Sequence, residues 1–365
     1  MGNISTKKTK LINESKIKND YINFKVCSFN VRLTQTTNYQ EKIKHLINFV
    51  VTSDIDVLCL QGIKDSKILR LISLHIKKYN KRNDNKIIMH PIVDDAFVDL
   101  NNQDSDDVFD VLKVTWGNSD NTDLSAIDTV ILSRYPIITK FQAEVSHIIK
   151  YKNRNFYIIN INFHGIIISI YNAMLQNDYI GISNSSVRRN QVSCLLKAIN
   201  KNISQINSDE IYSKYDYRNI HIVCCNSDIM ELCNNEINNE YLAFTRILNA
   251  LDTYRYIRTL KNKQANQAKD STNVGGTRTN YILLAGLNTK GFETISNIGK
   301  SLISNNKLLI INASIFRDIT SYEDRPVITH FILKKIQNPI QRNPPKIITE
   351  EQLKKNINKK TKNVL

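Results

Sequence analysis

No apolar run in the 365 residues approaches the ~18 needed to cross a bilayer, so no membrane-spanning helix is expected. The amino terminus is polar, which argues against a secretory signal. Paired C-x-x-C spacing is absent too. Cys27, Cys59, Cys194, Cys224, Cys225 and Cys233 fall mostly within apolar stretches, so buried, reduced thiols are expected in place of disulfides or a zinc site. Gly275-Gly276 has none of the other features of a phosphate loop and reads as a turn. His45, His75, His90, His147, His164, His221 and His330 stand apart from one another, and each reads as structural.

What the chain has in excess is positive charge, a formal +16. Its location weakens the nucleic-acid reading that it invites. Lys7, Lys8, Lys10, Lys16 and Lys18 against Glu14 and Asp20 leave residues 1–20 at +3. Nine basic residues against Glu350 and Glu351 leave residues 334–365 at +7. Between Asp94 and Asp128 the balance reverses, with ten aspartates and a single lysine, Lys113, in what reads as an exposed acidic insertion at about 94–126. A nucleic-acid groove requires basic charge on the folded body. Here the tails carry most of it, and they leave nucleic acid as a partner for the tails alone. The chain begins Met-Gly-Asn-Ile-Ser-Thr-Lys-Lys, which fits N-myristoylation of Gly2, with Lys7, Lys8 and Lys10 placed to meet an anionic membrane surface.

Folded structure is expected over about 23–335, between a flexible segment at 1–22 and a basic tail at 336–365 with a short helix near 349–356. Phe24 to Asn30 alternates as a strand does. Ile43, Leu46, Ile47 and Val50 share one face of a helix over 39–51, for which Asn38 is a candidate cap. A short buried strand from Ile55 and a second amphipathic helix over 66–78 follow. Further strands are expected to begin at Ile127, Phe156, Ile166, Ile220, Tyr281 and Val327, with a helix over 185–200. Strands alternating with helices imply an α/β fold in which two sheets pack as a sandwich flanked by helices.

Several segments resemble motifs of the endonuclease/exonuclease/phosphatase family, the DNase I-like phosphodiesterases. Arg325-Pro326-Val327 opening a strand resembles that family's Ser-Asp-His-x-Pro-Val, with Glu323 and Asp324 at its Asp and His positions. Leu132 to Ile137 resembles Leu-Ser-x-x-Pro-Ile. Asn172 to Gln176 aligns with Asn-Thr-His-Leu-Gln, with Met174 at the histidine. Arg188 and Gln191, Leu251 to Arg255 and Arg278 to Leu283 match further segments. The resemblance implies a DNase I-like four-layer α/β sandwich. It also implies that Asn30, after the first strand, corresponds to a ligand of a catalytic Mg²⁺, whereas the glutamate partner after Leu60-Gln61 is Gly62. In the Gly-Asp-x-Asn motif the order is inverted to Asn226-Ser227-Asp228, and Asn280 replaces an aspartate.

Metal-assisted phosphodiester hydrolysis needs a carboxylate to seat the cation, a base for water and donors for developing charge. With glutamate lost at Gly62, histidine at Met174 and Asp324, and carboxylates at Asn226 and Asn280, the expectation is a catalytically inactive relative without a resident cofactor. It would serve as a binding or scaffolding protein for an unidentified protein partner at the cytoplasmic face of a membrane. Two alternatives stand beside it. One is an active phosphodiesterase, a nuclease or phosphoinositide phosphatase, whose rearranged site holds Mg²⁺ through Asn30, Asp228 and Asp324. The other is a nucleic-acid binder driven by the tails.

Overall fold

The computed structural model describes residues 21–33, 39–63, 71–78 in part, 90–93, 96–97, 129–144 apart from 136, 155–176, 178, 183–261 apart from 228 and 234–235, 263, 270–273, 277–285, 308–317, 322 and 324–335. Gly2, Lys7, Lys8, Lys10, Asn38, Asp228, Glu323, most of the acidic insertion and the basic tail lie outside these residues.

Two parallel crossovers organise the chain. The first runs from β1 (Tyr21–Leu33) through α1 (Tyr39–Ser53) to β2 (Val57–Ile63), which pairs parallel with β1. After β3 (His90–Val93), β4 (Ala96–Phe97), β5 (Thr129–Ser133), β6 (Ile137–Glu144) and β7 (Asn155–Phe163) comes the second crossover. It runs from β8 (Ile166–Met174) through α2 (Ser185–Ser208) to β9 (Asp216–Asn226), again parallel. The remaining elements are β10 (Leu232–Cys233), β11 (Glu236–Ile237), α3 (Asn239–Ile247), β12 (Leu251–Asp252), α4 (Thr253–Leu260), β13 (Asn280–Ala285), β14 (Leu308–Ile315) and β15 (Val327–Lys334).

The strands form two main sheets, ordered β14-β15-β1-β2-β5-β3-β4 and β12-β13-β9-β8-β7-β6. Their inner faces meet in one apolar core, where Phe24, Val57 and Ile131 of the first sheet pack with Ile159, Ile168, Ile222 and Ile282 of the second. The outer face of the first sheet is covered by α1 through Ile43, Leu46, Ile47, Phe49 and Val50. That of the second is covered by α2 and α3 through Val192, Leu195, Ile199, Tyr241 and Phe244. β8 is buried at all nine positions, as expected of a central strand with both faces covered. Helix, sheet, sheet and helix make the expected four layers.

Element ends differ from the sequence reading. β1 begins at Tyr21 and β9 at Asp216, because cross-strand pairing extends polar residues that carry no strand signal. β2 begins two residues later than expected, after a turn in which Asp54 adopts φ 51°. α2 continues to Ser208, where Asp209 terminates it and accepts from Ile211 N in the next turn. Ala96–Phe97, assigned to the exposed insertion, pairs with β3. The five cysteines whose state is described are free; Cys194 is half-buried on α2 and the others are buried.

Candidate functional site

In sheets built on parallel crossovers, the carboxyl ends of the parallel strands are where ligands gather, because the loops leaving them diverge. Both crossovers here deliver their chemistry-bearing positions to such ends. Asn30 and Gly62 lie toward the ends of β1 and β2, and Met174 and Asn226 close β8 and β9 as Cα partners. Asn280 opens β13 directly opposite Asn226, and Asp324 lies three residues before β15.

Hydrogen bonds tie these positions together. Asn30 Nδ2 donates to Asn226 Oδ1 at 3.1 Å, Asn226 Nδ2 donates to Asn280 Oδ1 at 2.7 Å, and Asn280 Nδ2 donates to the Arg325 carbonyl at 3.1 Å. The backbone N–H of Arg32 donates to Asn30 Oδ1 at 3.3 Å. All three amide side chains are buried. Arg32 Nε donates to Asp324 Oδ2 at 2.6 Å, from a half-exposed guanidinium to a fully enclosed carboxylate. Beside them, Gln61 Nε2 donates to Asn172 Oδ1 at 2.7 Å, and Asn172 Nδ2 donates to the carbonyls of Leu60 and Val130. Gln61 Oε1 is buried and has no partner among the described residues.

Gly62 holds φ +72°, in the left-handed region, beside a register shift between β1 and β2. A Cβ there would come within 2.5 Å of Asn30 Oδ1 and 3.0 Å of Arg32 N. At this backbone geometry any side chain, glutamate included, is strained and requires Asn30 to shift. Met174 is nearly buried and supplies no proton or charge.

Two parallel-strand crossovers, two packed sheets and one shared functional end define the architecture. The fold is the DNase I-like sandwich of the endonuclease/exonuclease/phosphatase proteins. The catalytic domain of human Nocturnin, solved with a bound sulfate anion, superposes with a TM-score of 0.50 at 12% identity, covering 86% of this chain and 96% of that one. Sphingomyelinase C from Streptomyces griseocarneus aligns with a TM-score of 0.48 at 12% identity, over 85% of this chain and 99% of that one. An endonuclease/exonuclease/phosphatase family protein from Leptotrichia buccalis aligns at 0.47 and 12%, over 84% and 98%. No protein-family model and no curated protein matches the sequence.

Close in sequence to Asn280 lies a buried ionic cluster of five residues, of which the sequence motifs revealed two, Asp252 and Arg278. Arg278, one residue of the Arg278–Leu283 match, pairs with Asp252 and, at 2.6 Å, with Glu231. Arg258 pairs with Glu231 and Asp270, both at 2.5 Å. Asp252 also caps α4, accepting from Tyr254 N and Arg255 N, and takes the Tyr241 hydroxyl at 2.7 Å. Burial works to raise the Asp252 carboxyl, but Arg278 and these hydrogen bonds outweigh it and hold it below the usual carboxylate range. Glu231, Arg258 and Asp270 were missed because no spacing links them; only the fold brings them together. Arg188, another motif residue, is buried between Glu240 at 2.7 Å and Asp178 at 2.6 Å, and so anchors α2 to α3.

Proposed function

We propose that this chain is a catalytically inactive protein of DNase I-like fold that acts by binding, as a scaffold on an anionic membrane surface at the cytoplasmic face. The observation that carries the first half is the Asn30–Asn226–Asn280 chain of amides. A cluster of carboxylates can only accept hydrogen bonds and repels itself unless a cation sits within it. An amide both donates and accepts, so a row of amides satisfies itself.

Of the six described positions at this end, Asp324 alone bears a carboxylate, and a guanidinium already compensates it. Mg²⁺ prefers several hard, charged oxygens in near-octahedral array. Asn30, Gly62, Met174, Asn226 and Asn280 offer at most neutral amide oxygens, and those of Asn30, Asn226 and Asn280 already accept hydrogen bonds. These residues do not fit the ion. Nor do they supply a general base, whose loss alone typically costs ~10²–10⁴ in rate.

The second half draws on Gly2 with Lys7, Lys8 and Lys10: an acyl chain beside basic residues is a two-part membrane anchor. Among the described residues no helix is long and apolar enough to cross a membrane. The unidentified protein partner would then meet the folded body at the bilayer.

Hydrolysis of a generic phosphodiester, of nucleic acids and of phosphoinositides, each with Mg²⁺ and Mn²⁺, tests the catalytic half. The expected result is no turnover above buffer. Turnover that disappears in Asp228→Ala or Asp324→Ala would establish a rearranged metal site instead.

A further inference from the structure

We infer that Asn30, Asn226 and Asn280 form a cation-independent latch across the two sheets, in which each of the three positions has to be an amide. The inference deepens the reading of this end as cation-free and rests on it. The latch joins β1 of the first sheet to β9 and β13 of the second, then returns through Asn280 Nδ2 to the Arg325 carbonyl, two residues before β15 of the first.

Its direction is fixed at both ends by the backbone. The Arg325 carbonyl can only accept, so Asn280 must turn its nitrogen there and its oxygen toward Asn226. Asn226 must therefore donate to Asn280, and its own oxygen faces Asn30, which must donate in turn. The Arg32 N–H can only donate, and it meets the one oxygen left, Oδ1 of Asn30. No amide can flip without setting two acceptors or two donors face to face.

A carboxylate at any of the three positions lacks the required donor. At position 226 it would press an ionised oxygen against Asn280 Oδ1 across 2.7 Å. An apolar isostere would instead leave a buried donor and a buried acceptor without partners, the costlier way to lose a hydrogen bond. Gly62 completes the device: at its positive φ a Cβ would lie 2.5 Å from Asn30 Oδ1, the atom that receives the Arg32 N–H, so the lack of a side chain leaves that oxygen clear.

Equilibrium unfolding of the full chain tests this, using wild type, Asn226→Asp, Asn280→Asp and Asn226→Leu, each with chelator and with Mg²⁺, across pH 5 to 8. All three variants should lose midpoint at pH 8. The two aspartate variants should recover toward the wild type as pH falls, because a protonated carboxyl regains an O–H donor; Asn226→Leu should show no such recovery. Wild-type midpoints should be the same with chelator and with Mg²⁺. An aspartate variant as stable as the wild type at pH 8, a deficit that ignores pH, or a wild-type midpoint raised by Mg²⁺ would each overturn the latch. If an aspartate variant does not fold at pH 8, its refolding on acidification is the same readout. Turnover in a protein that still shows this pH pattern would remove the non-catalytic reading and leave the latch standing.

Discussion

Gly62 concentrates the functional question in one residue. It has no side chain where the resemblance puts a metal-holding glutamate, and at its backbone conformation a side chain would be strained and would press on Asn30 Oδ1. Gly62→Glu should therefore fail as a restoration. A side chain at positive φ and an overpacked contact together cost ~2–5 kcal/mol. The expected outcome is a lower unfolding midpoint with no gain of Mg²⁺ affinity. Stable Gly62→Glu protein that binds Mg²⁺ would show that the bend at β2 yields easily. The sequence made the absence of the glutamate legible, because Leu60-Gln61 marks the place. It gave no sign of the positive φ, which arises from the register shift between β1 and β2. Asn226 and Asn280 were likewise legible as departures from a pattern, and Asn30 as a match to it, but not the three as one hydrogen-bonded row. That row depends on strands 196 residues apart meeting at a single end.

At the scale of elements, two buried polar groups make opposite demands. The cluster beneath the site sets Arg278 against Glu231 and Asp252, and its charges are worth little net but are expensive to orphan. Arg278→Met should destabilise by ~3–5 kcal/mol, since buried Asp252 loses its guanidinium and buried Glu231 is left to Arg258. Urea unfolding would check this; a loss near zero would mean that Arg255 or Arg258 moves to cover Asp252.

The other group lies under α2, where His221 sits between the hydroxyls of Tyr171 at 2.9 Å and Tyr217 at 3.0 Å, beside Asn202 and Asn160. Burial lowers His221 to about 3 from an ordinary 6.5. The unfolded chain thus binds a proton that the folded one refuses between those values. The contribution of His221 is fully present above pH 6.5 and is lost as pH falls toward 3, by ~3 kcal/mol at pH 4.5. His221→Gln should flatten that part of the pH dependence relative to the wild type, and identical slopes would contradict it. Strands such as β8 were plain in the sequence because continuous burial leaves a continuous apolar run. β14 was missed although it reads Leu-Leu-Ile-Ile-Asn-Ala-Ser-Ile, because no motif flanks it and its place is set by pairing with β15.

On the scale of the whole molecule, the charge of +16 lies mainly on the tails, while the described residues of the candidate site are a neutral amide row with one compensated carboxylate. That division fits the proposed scaffold, whose ends would engage a surface and whose body would bind. A single myristoyl chain gives only marginal attachment, ~10⁴ M⁻¹, so a second signal is required. At ~1 kcal/mol for each basic residue on an anionic leaflet, Lys7, Lys8 and Lys10 would add ~3 kcal/mol to the proposed anchor, about a hundredfold. Membrane partitioning should accordingly fall in Gly2→Ala, and fall at low salt in a Lys7/Lys8/Lys10→Gln triple variant. Wild-type partitioning in Gly2→Ala would remove the acyl anchor, and an unaffected triple variant would remove its electrostatic complement.

If the DNase I-like end of this molecule takes no divalent cation, calorimetric titration of Mg²⁺ and Mn²⁺ into the purified chain should show it directly. No saturable binding should be seen that depends on Asp324, so that wild type and Asp324→Ala give superimposable curves. A one-to-one isotherm present in the wild type and absent in Asp324→Ala would contradict the account.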